Sequence, residues 1–129
     1  NEITYHDKIY QFAPGWIMAH GDEGNLIRTA GGTAMALARK TNSSVVCGHT
    51  HRLGIQHEHS GFNGKIQNRL YGVEVGHLMD LSKASYLNTG SANWQQGIAI
   101  LYIDKGKVVP SLVPITNGSF VVEGKKYGK

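Results

Sequence analysis

The stretch Val45-Val46-Cys47-Gly48-His49-Thr50-His51-Arg52 runs from three apolar residues into a glycine and then two histidines. A short apolar run bounded by turn residues reads as a buried strand, so both histidines stand beyond its carboxyl end. An earlier run, Trp16-Ile17-Met18-Ala19, follows the turn signal Pro14-Gly15 and ends in His20-Gly21-Asp22-Glu23-Gly24. Between the two runs, residues 25–40 place Leu26, Ile27, Ala30, Ala34, Met35, Leu37 and Ala38 at helical spacing. Gly31-Gly32 interrupts that pattern at ~1 kcal/mol per glycine relative to alanine, and marks close packing or a break between two turns. Strand, helix, strand is the signature of an α/β layer. Further strands are expected at 70–75, 98–103, 108–113 and 119–122, which adds a mixed or antiparallel flank. Asp104-Lys105-Gly106-Lys107 is the expected hairpin turn between two of them. Residues 52–69 read as a long polar loop, with room for a hairpin.

The rest of the chain bounds what this layer can be. With 129 residues, 40% of them hydrophobic and 17% charged, it is long enough for one core and one domain. Seventeen glycines without a collagen-like period are turns. A formal charge of +4 tolerates an anionic ligand without demanding nucleic acid. The single cysteine, Cys47, excludes an internal disulfide and fits a reducing compartment, so a cytoplasmic location is expected. No stretch reaches the ~18 apolar residues of a helical membrane span.

Chemistry concentrates at the two strand ends. Ligands in open α/β sheets gather beyond the carboxyl ends of strands, where loops converge. His49 and His51 are two apart and, in extended backbone, would share a side. Neutral imidazole is the commonest side-chain ligand for transition metals, so His20, His49 and His51 form a candidate metal face. Seven histidines in one short chain also generate close pairs by chance, and spacing alone leaves both readings open. His57 and His59 repeat the spacing inside the polar stretch and read as solvated. His6 and His77 read as structural.

Gly48-His49-Thr50-His51-Arg52 behind its strand resembles the last signature box of the calcineurin-like metallophosphoesterases, and His20-Gly21 resembles the box before it. His20-Gly21-Asp22 is also similar to the bacterial lipid-A-precursor pyrophosphatases of that superfamily. Val73-Glu74-Val75-Gly76-His77 and Asn93-Trp94-Gln95-Gln96-Gly97 resemble its phage and prophage members. The resemblance implies an α/β sandwich with a mixed sheet and a centre of two divalent metals, Mn²⁺ first, with Fe or Zn²⁺ as alternatives. It implies that His20 and His49 ligate one metal and His51 the other. The implied reaction is hydrolysis of a phosphomonoester or phosphodiester; DNA, RNA, cyclic nucleotides and nucleotide-linked pyrophosphates all remain open as substrates.

The family's earlier boxes, Asp-x-His, Gly-Asp-x-x-Asp and Gly-Asn-His-Asp/Glu, do not occur here. Three imidazoles cannot fill two metals that take four to six ligands each. The expectation is therefore that residues 1–129 form the C-terminal portion of one metallophosphoesterase domain, weakly active or inactive alone. The N-terminal half, or a second copy donating acids such as Asp22 or Asp80, would complete it. A non-catalytic binding or assembly module is the alternative.

Other residues carry two readings each. Arg52 faces substrate phosphate or makes a structural salt bridge. Asp22, the other candidate catalytic residue, orients a metal histidine together with Glu23, or the two acids favour the start of the following helix. Cys47 is a thiolate ligand or, more simply, a small buried hydrophobe. Trp94 shapes a substrate mouth or packs at a rim. The basic end, residues 124–129, is expected to fray into solvent.

Overall fold

The computed structural model describes residues 3–6, 9–84 and 92–129. Trp16–Ala19 and Ser44–Cys47 are strands, as the two apolar runs predict, here β2 and β3, and they pair in parallel with Ala19 opposite Cys47. The helix between them, α1, spans Gly32–Thr41. It is shorter than its periodicity suggests because Gly31 adopts a left-handed conformation at its N-cap, with φ 79°. That leaves residues 25–31 as a loop. Lys40 and Arg39 lie in the last turn, where the helix dipole favours cations.

A strand not foreseen, β1 (Tyr10–Ala13), pairs antiparallel with β2. Residues 52–69, expected as a long polar loop with room for a hairpin, depart most from expectation, whereas the strand expected at 70–75 is present. Together they form one long hairpin, β4 (Leu53–Phe62) and β5 (Lys65–Val75), turning at Asn63 and Gly64, both at positive φ. Asn-Gly is the strongest short hairpin signal, and these 23 residues are structured because of it. β5 runs parallel to β3, which gives a five-stranded sheet in the order β1-β2-β3-β5-β4.

The expected hairpin at residues 104–107 is present, joining β6 (Gly97–Asp104) to β7 (Lys107–Pro114) with Lys105 and Gly106 at positive φ. The basic end does not fray. Its Lys125–Gly128 forms β9, paired with β8 (Ser119–Val122), and Tyr127 stacks on Phe120.

The expectation of an α/β sandwich is therefore corrected. Among the described residues, nine strands stand against one α-helix and a single 3-10 turn, Leu81–Lys83, so the domain is β-rich. Among the described residues, the stretch from β2 to β3 forms a strand-helix-strand unit, and the later strands pair as the antiparallel hairpins β4–β5, β6–β7 and β8–β9. One face of the sheet packs on α1 through Met35, Leu37, Ala38, Val45, Cys47 and Leu70. The other face packs on the β6–β7 hairpin through Trp16, Val46, Val73 and Val108. Met35, Val45 and Val73 are fully buried, each worth ~1.5–3 kcal/mol in transfer from water. Gly72 lets α1 sit directly on the sheet, since a Cβ there would collide with the backbone of Met35.

Candidate metal centre

Parallel pairing of β2 and β3 in register puts their carboxyl ends side by side. Beyond the ladder, the Gly48 amide donates to the His20 carbonyl at 3.1 Å, which keeps the two loops together for one more residue. Close approach depends on Gly21, at φ 115°: a Cβ there would lie 2.8 Å from the Gly48 carbonyl oxygen and 3.1 Å from the His49 Cβ. Gly48 itself is not at positive φ, and a Cβ on it would make an ordinary contact. The turn is made instead by His49 and His51, both left-handed at φ 58° and 57°.

That backbone corrects the inference that His49 and His51 share a side. His49 turns toward β2, where its Nδ1 lies 3.1 Å from His20 Nε2. His51 turns away, toward Trp94 (ring centroids 4.5 Å apart, edge-on) and His77 (5.9 Å). The structure thus brings His20 and His49 together and places His51 in a neighbouring aromatic nest. Its Nδ1 there is buried without a hydrogen-bond partner among the described residues. Burial, with His77 and His49 nearby, holds the His51 imidazole below its ordinary range, so the ring favours the neutral form a metal requires. Among the described residues, no three His, Cys, Asp or Glu side chains are grouped so as to hold a metal.

His77 is the group the sequence hid. It is buried, and its Nδ1 accepts a hydrogen bond from the Met79 amide at 3.1 Å. A nitrogen that accepts carries a lone pair, so in the neutral ring the proton sits on Nε2. That Nε2 is buried without a partner among the described residues. Its backbone bridges to Gln95 and Gly97, which brings the segment with Trp94 against the His51 loop. Nothing in the spacing of His77 relative to the other histidines could have shown this, because the juxtaposition is made by β5 and β6.

Of the two acids after His20, Glu23 does the local work and Asp22 does not. Glu23 accepts from the His20 amide at 3.0 Å and the Gly21 amide at 2.7 Å, bracing the loop that carries His20. Burial raises the Glu23 pKa, but the hydrogen bonds from Gly21, its own amide and His20, with the His20 charge, outweigh it and leave it below the usual carboxylate range. Asp22 is exposed. Neither acid caps α1, which begins nine residues later and has no acid in its first turn. Asp80 is engaged locally, accepting from the Ser82 amide and hydroxyl.

Among the described residues Arg52 makes no salt bridge. Its guanidinium donates to the Ile27 carbonyl at 2.7 Å, with Nε buried and unpartnered among the described residues. It thereby ties the loop of residues 25–31 to the strand end. Glu74, fully buried on β5, accepts from the Gly31 amide and pins the same loop at the start of α1. Cys47 is buried, and burial first, with Glu74 and Glu23 adding, pushes its thiol up to about 12, so it behaves as a hydrophobe. An apolar cleft of about 590 Å³ lies beside the centre, lined among others by Met18, Val46, Val75, His77 and Ile98.

The chain is similar to two curated proteins of mycobacteriophages. It is 41% identical over 124 residues to the Gene 54 protein of Mycobacterium phage D29, covering 95% of this chain and 48% of that protein. It is 42% identical over 120 residues to the Gene 54 protein of Mycobacterium phage L5, covering 92% of this chain and 47% of that protein. The chain spans about half the length of the curated relatives it matches. No family model matches the chain, and no solved structure matches it. No described helix is long and apolar enough to cross a membrane.

Proposed function

We propose that this chain contributes the histidine ligands of a two-metal phosphoesterase centre, of Mn²⁺, Fe or Zn²⁺, in the host cytoplasm. The observation that carries the reading is the 3.1 Å separation of His20 Nε2 and His49 Nδ1. In a neutral pair one proton lies between the two nitrogens; alternatively both lone pairs meet at one cation. With metal–nitrogen distances of ~2.0–2.1 Å, this separation corresponds to a ligand–metal–ligand angle of ~95–100°, close to a cis pair in an octahedral shell. The donor set therefore fits one metal at His20 and His49. His51, held neutral in its nest, is suited to a second.

When bound, the metals would polarise a phosphoryl oxygen and generate a hydroxide nucleophile. The chain's own residues hold the ligands. Gly21 permits the approach of the two loops, Glu23 fixes the His20 turn, and Trp94 with His77 fixes the His51 ring. Arg52 acts here by anchoring the 25–31 loop. The carboxylates that two metals also need come from outside these 129 residues, from the remainder of a longer protein or from a second copy.

A chimera tests this. The chain replaces the matching half of the phage D29 Gene 54 protein, and hydrolysis of bis(p-nitrophenyl) phosphate and p-nitrophenyl phosphate is followed with Mn²⁺. The expected result is metal-dependent hydrolysis that His49→Ala and His51→Ala abolish. An inert chimera alongside an inert intact relative, or activity indifferent to both substitutions, would overturn the proposal. The apolar cleft favours a second reading, a non-catalytic assembly module. That reading predicts a stable, folded chimera without metal-dependent hydrolysis.

A further inference from the structure

His57 and His59 lie on β4, not in a loop, and β4 is the outer strand of the five-stranded sheet. Two positions apart on a strand, they share a face. Both side chains are exposed, and their Nε2 atoms are 2.9 Å apart. The rings stand edge to face at 85°. The His57 ring is held in its plane by stacking on Tyr71, with centroids 3.7 Å apart and 16° between planes. Tyr71 in turn stacks on the buried Trp16. The chelating geometry is thus preorganised by the core on one side, which lowers the entropic cost of binding.

We propose that His57 and His59 form a metal site separate from the strand-end centre, taking a late first-row divalent cation such as Cu²⁺ or Ni²⁺ through their two Nε2 atoms. With nitrogen ligands at ~2.0–2.1 Å, a 2.9 Å separation subtends ~90° at the metal, the cis angle of tetragonal or square-planar coordination rather than the tetrahedral angle of structural zinc. Water fills the remaining positions on this open surface. No carboxylate assists: Glu58 lies between the two histidines in sequence and on the opposite face, paired with Arg39. An all-imidazole pair favours Cu²⁺ or Ni²⁺ over Mn²⁺ and Mg²⁺. Arg69, cross-strand partner of His59, is a charged neighbour of the pair, and its charge opposes the cation.

The test uses the whole chain with His20→Ala and His49→Ala, so that the strand-end pair contributes no binding. Cu²⁺ is titrated and read by electron paramagnetic resonance. One Cu²⁺ per chain coupled to two imidazole nitrogens is expected. His57→Ala and His59→Ala should each weaken binding on the order of 10²-fold, the scale set by joining two weak ligands. Arg69→Gln should tighten it by up to about tenfold at low salt. Paramagnetic broadening of Tyr71 ring resonances in the wild-type chain gives a readout that needs no variant. Unchanged affinity in His57→Ala and His59→Ala, or Cu²⁺ that leaves Tyr71 sharp, would overturn the proposal.

Discussion

Replacing Gly21 by alanine is the sharpest perturbation of the strand-end centre, because it adds one methyl group and removes no ligand. Two costs act together. At φ 115° the residue lies beyond the small left-handed region that side chains tolerate, which costs ~1–3 kcal/mol. The new Cβ would also lie 2.8 Å from the Gly48 carbonyl oxygen, a backbone atom that cannot rotate away. Relief requires the two strand ends to part by a few tenths of an ångström. Together these give a destabilisation of about 2–4 kcal/mol, and for a chain of this length a fall in Tm of roughly 8–15 °C. Two controls separate the contributions. Gly15→Ala has positive φ but open space, so it carries the backbone cost alone. Gly24→Ala has ordinary φ and open space and should be neutral. Thermal unfolding followed by circular dichroism should rank Gly21→Ala well below Gly15→Ala, and Gly24→Ala with wild type. If Gly21→Ala matches Gly15→Ala within about 2 °C, the contact between the strand ends does not hold the site.

Three further outcomes follow from the same geometry. Glu23→Ala removes the acceptor of two amides on an exposed loop; it should cost about 1 kcal/mol in stability, discounted for solvent, and weaken metal binding at His20 more than at His51. Cys47 has a folded pKa raised to about 12, so above its ordinary value of ~8.5 the unfolded chain loses a proton that the folded chain keeps. Stability should therefore fall with rising pH between those values by up to ~1.4 kcal/mol per pH unit, a slope that denaturant titrations should find missing in Cys47→Ala. Gly72→Ala drives a methyl group into the backbone of Met35, and should cost ~3 kcal/mol or more, with α1 amides losing hydrogen-exchange protection first.

The two apolar runs and the histidines behind them were legible because both strands are apolar throughout; β3 is buried at all four positions, while β2 buries Trp16 and leaves Met18 exposed. Their parallel register, which sets His20 beside His49, is a tertiary fact only implied by the strand-helix-strand order. The separation of His49 from His51 was not legible. It depends on left-handed backbone at two histidines, and no residue type at 48–51 demands that conformation. The 52–69 stretch misled because β4 is an outer strand with much of its surface in water, so polar residues dominate it; Asn63-Gly64 was the signal that outweighed composition. Glu74 sits in β5, whose two faces are covered by α1 and by β6–β7, and His77 lies two residues beyond its end, bridged to Gln96. Alternation cannot mark an acid that is buried by packing from elsewhere.

The central claim is that His20 and His49 offer Nε2 and Nδ1 to one cation. Long-range proton–nitrogen spectra of the histidine rings during a Zn²⁺ titration read those atoms directly. His20 Nε2 and His49 Nδ1 should shift together, at one Zn²⁺ concentration, and either His20→Ala or His49→Ala should abolish the response of the other ring. Rings that shift independently, or that respond through His20 Nδ1 or His49 Nε2, would contradict it.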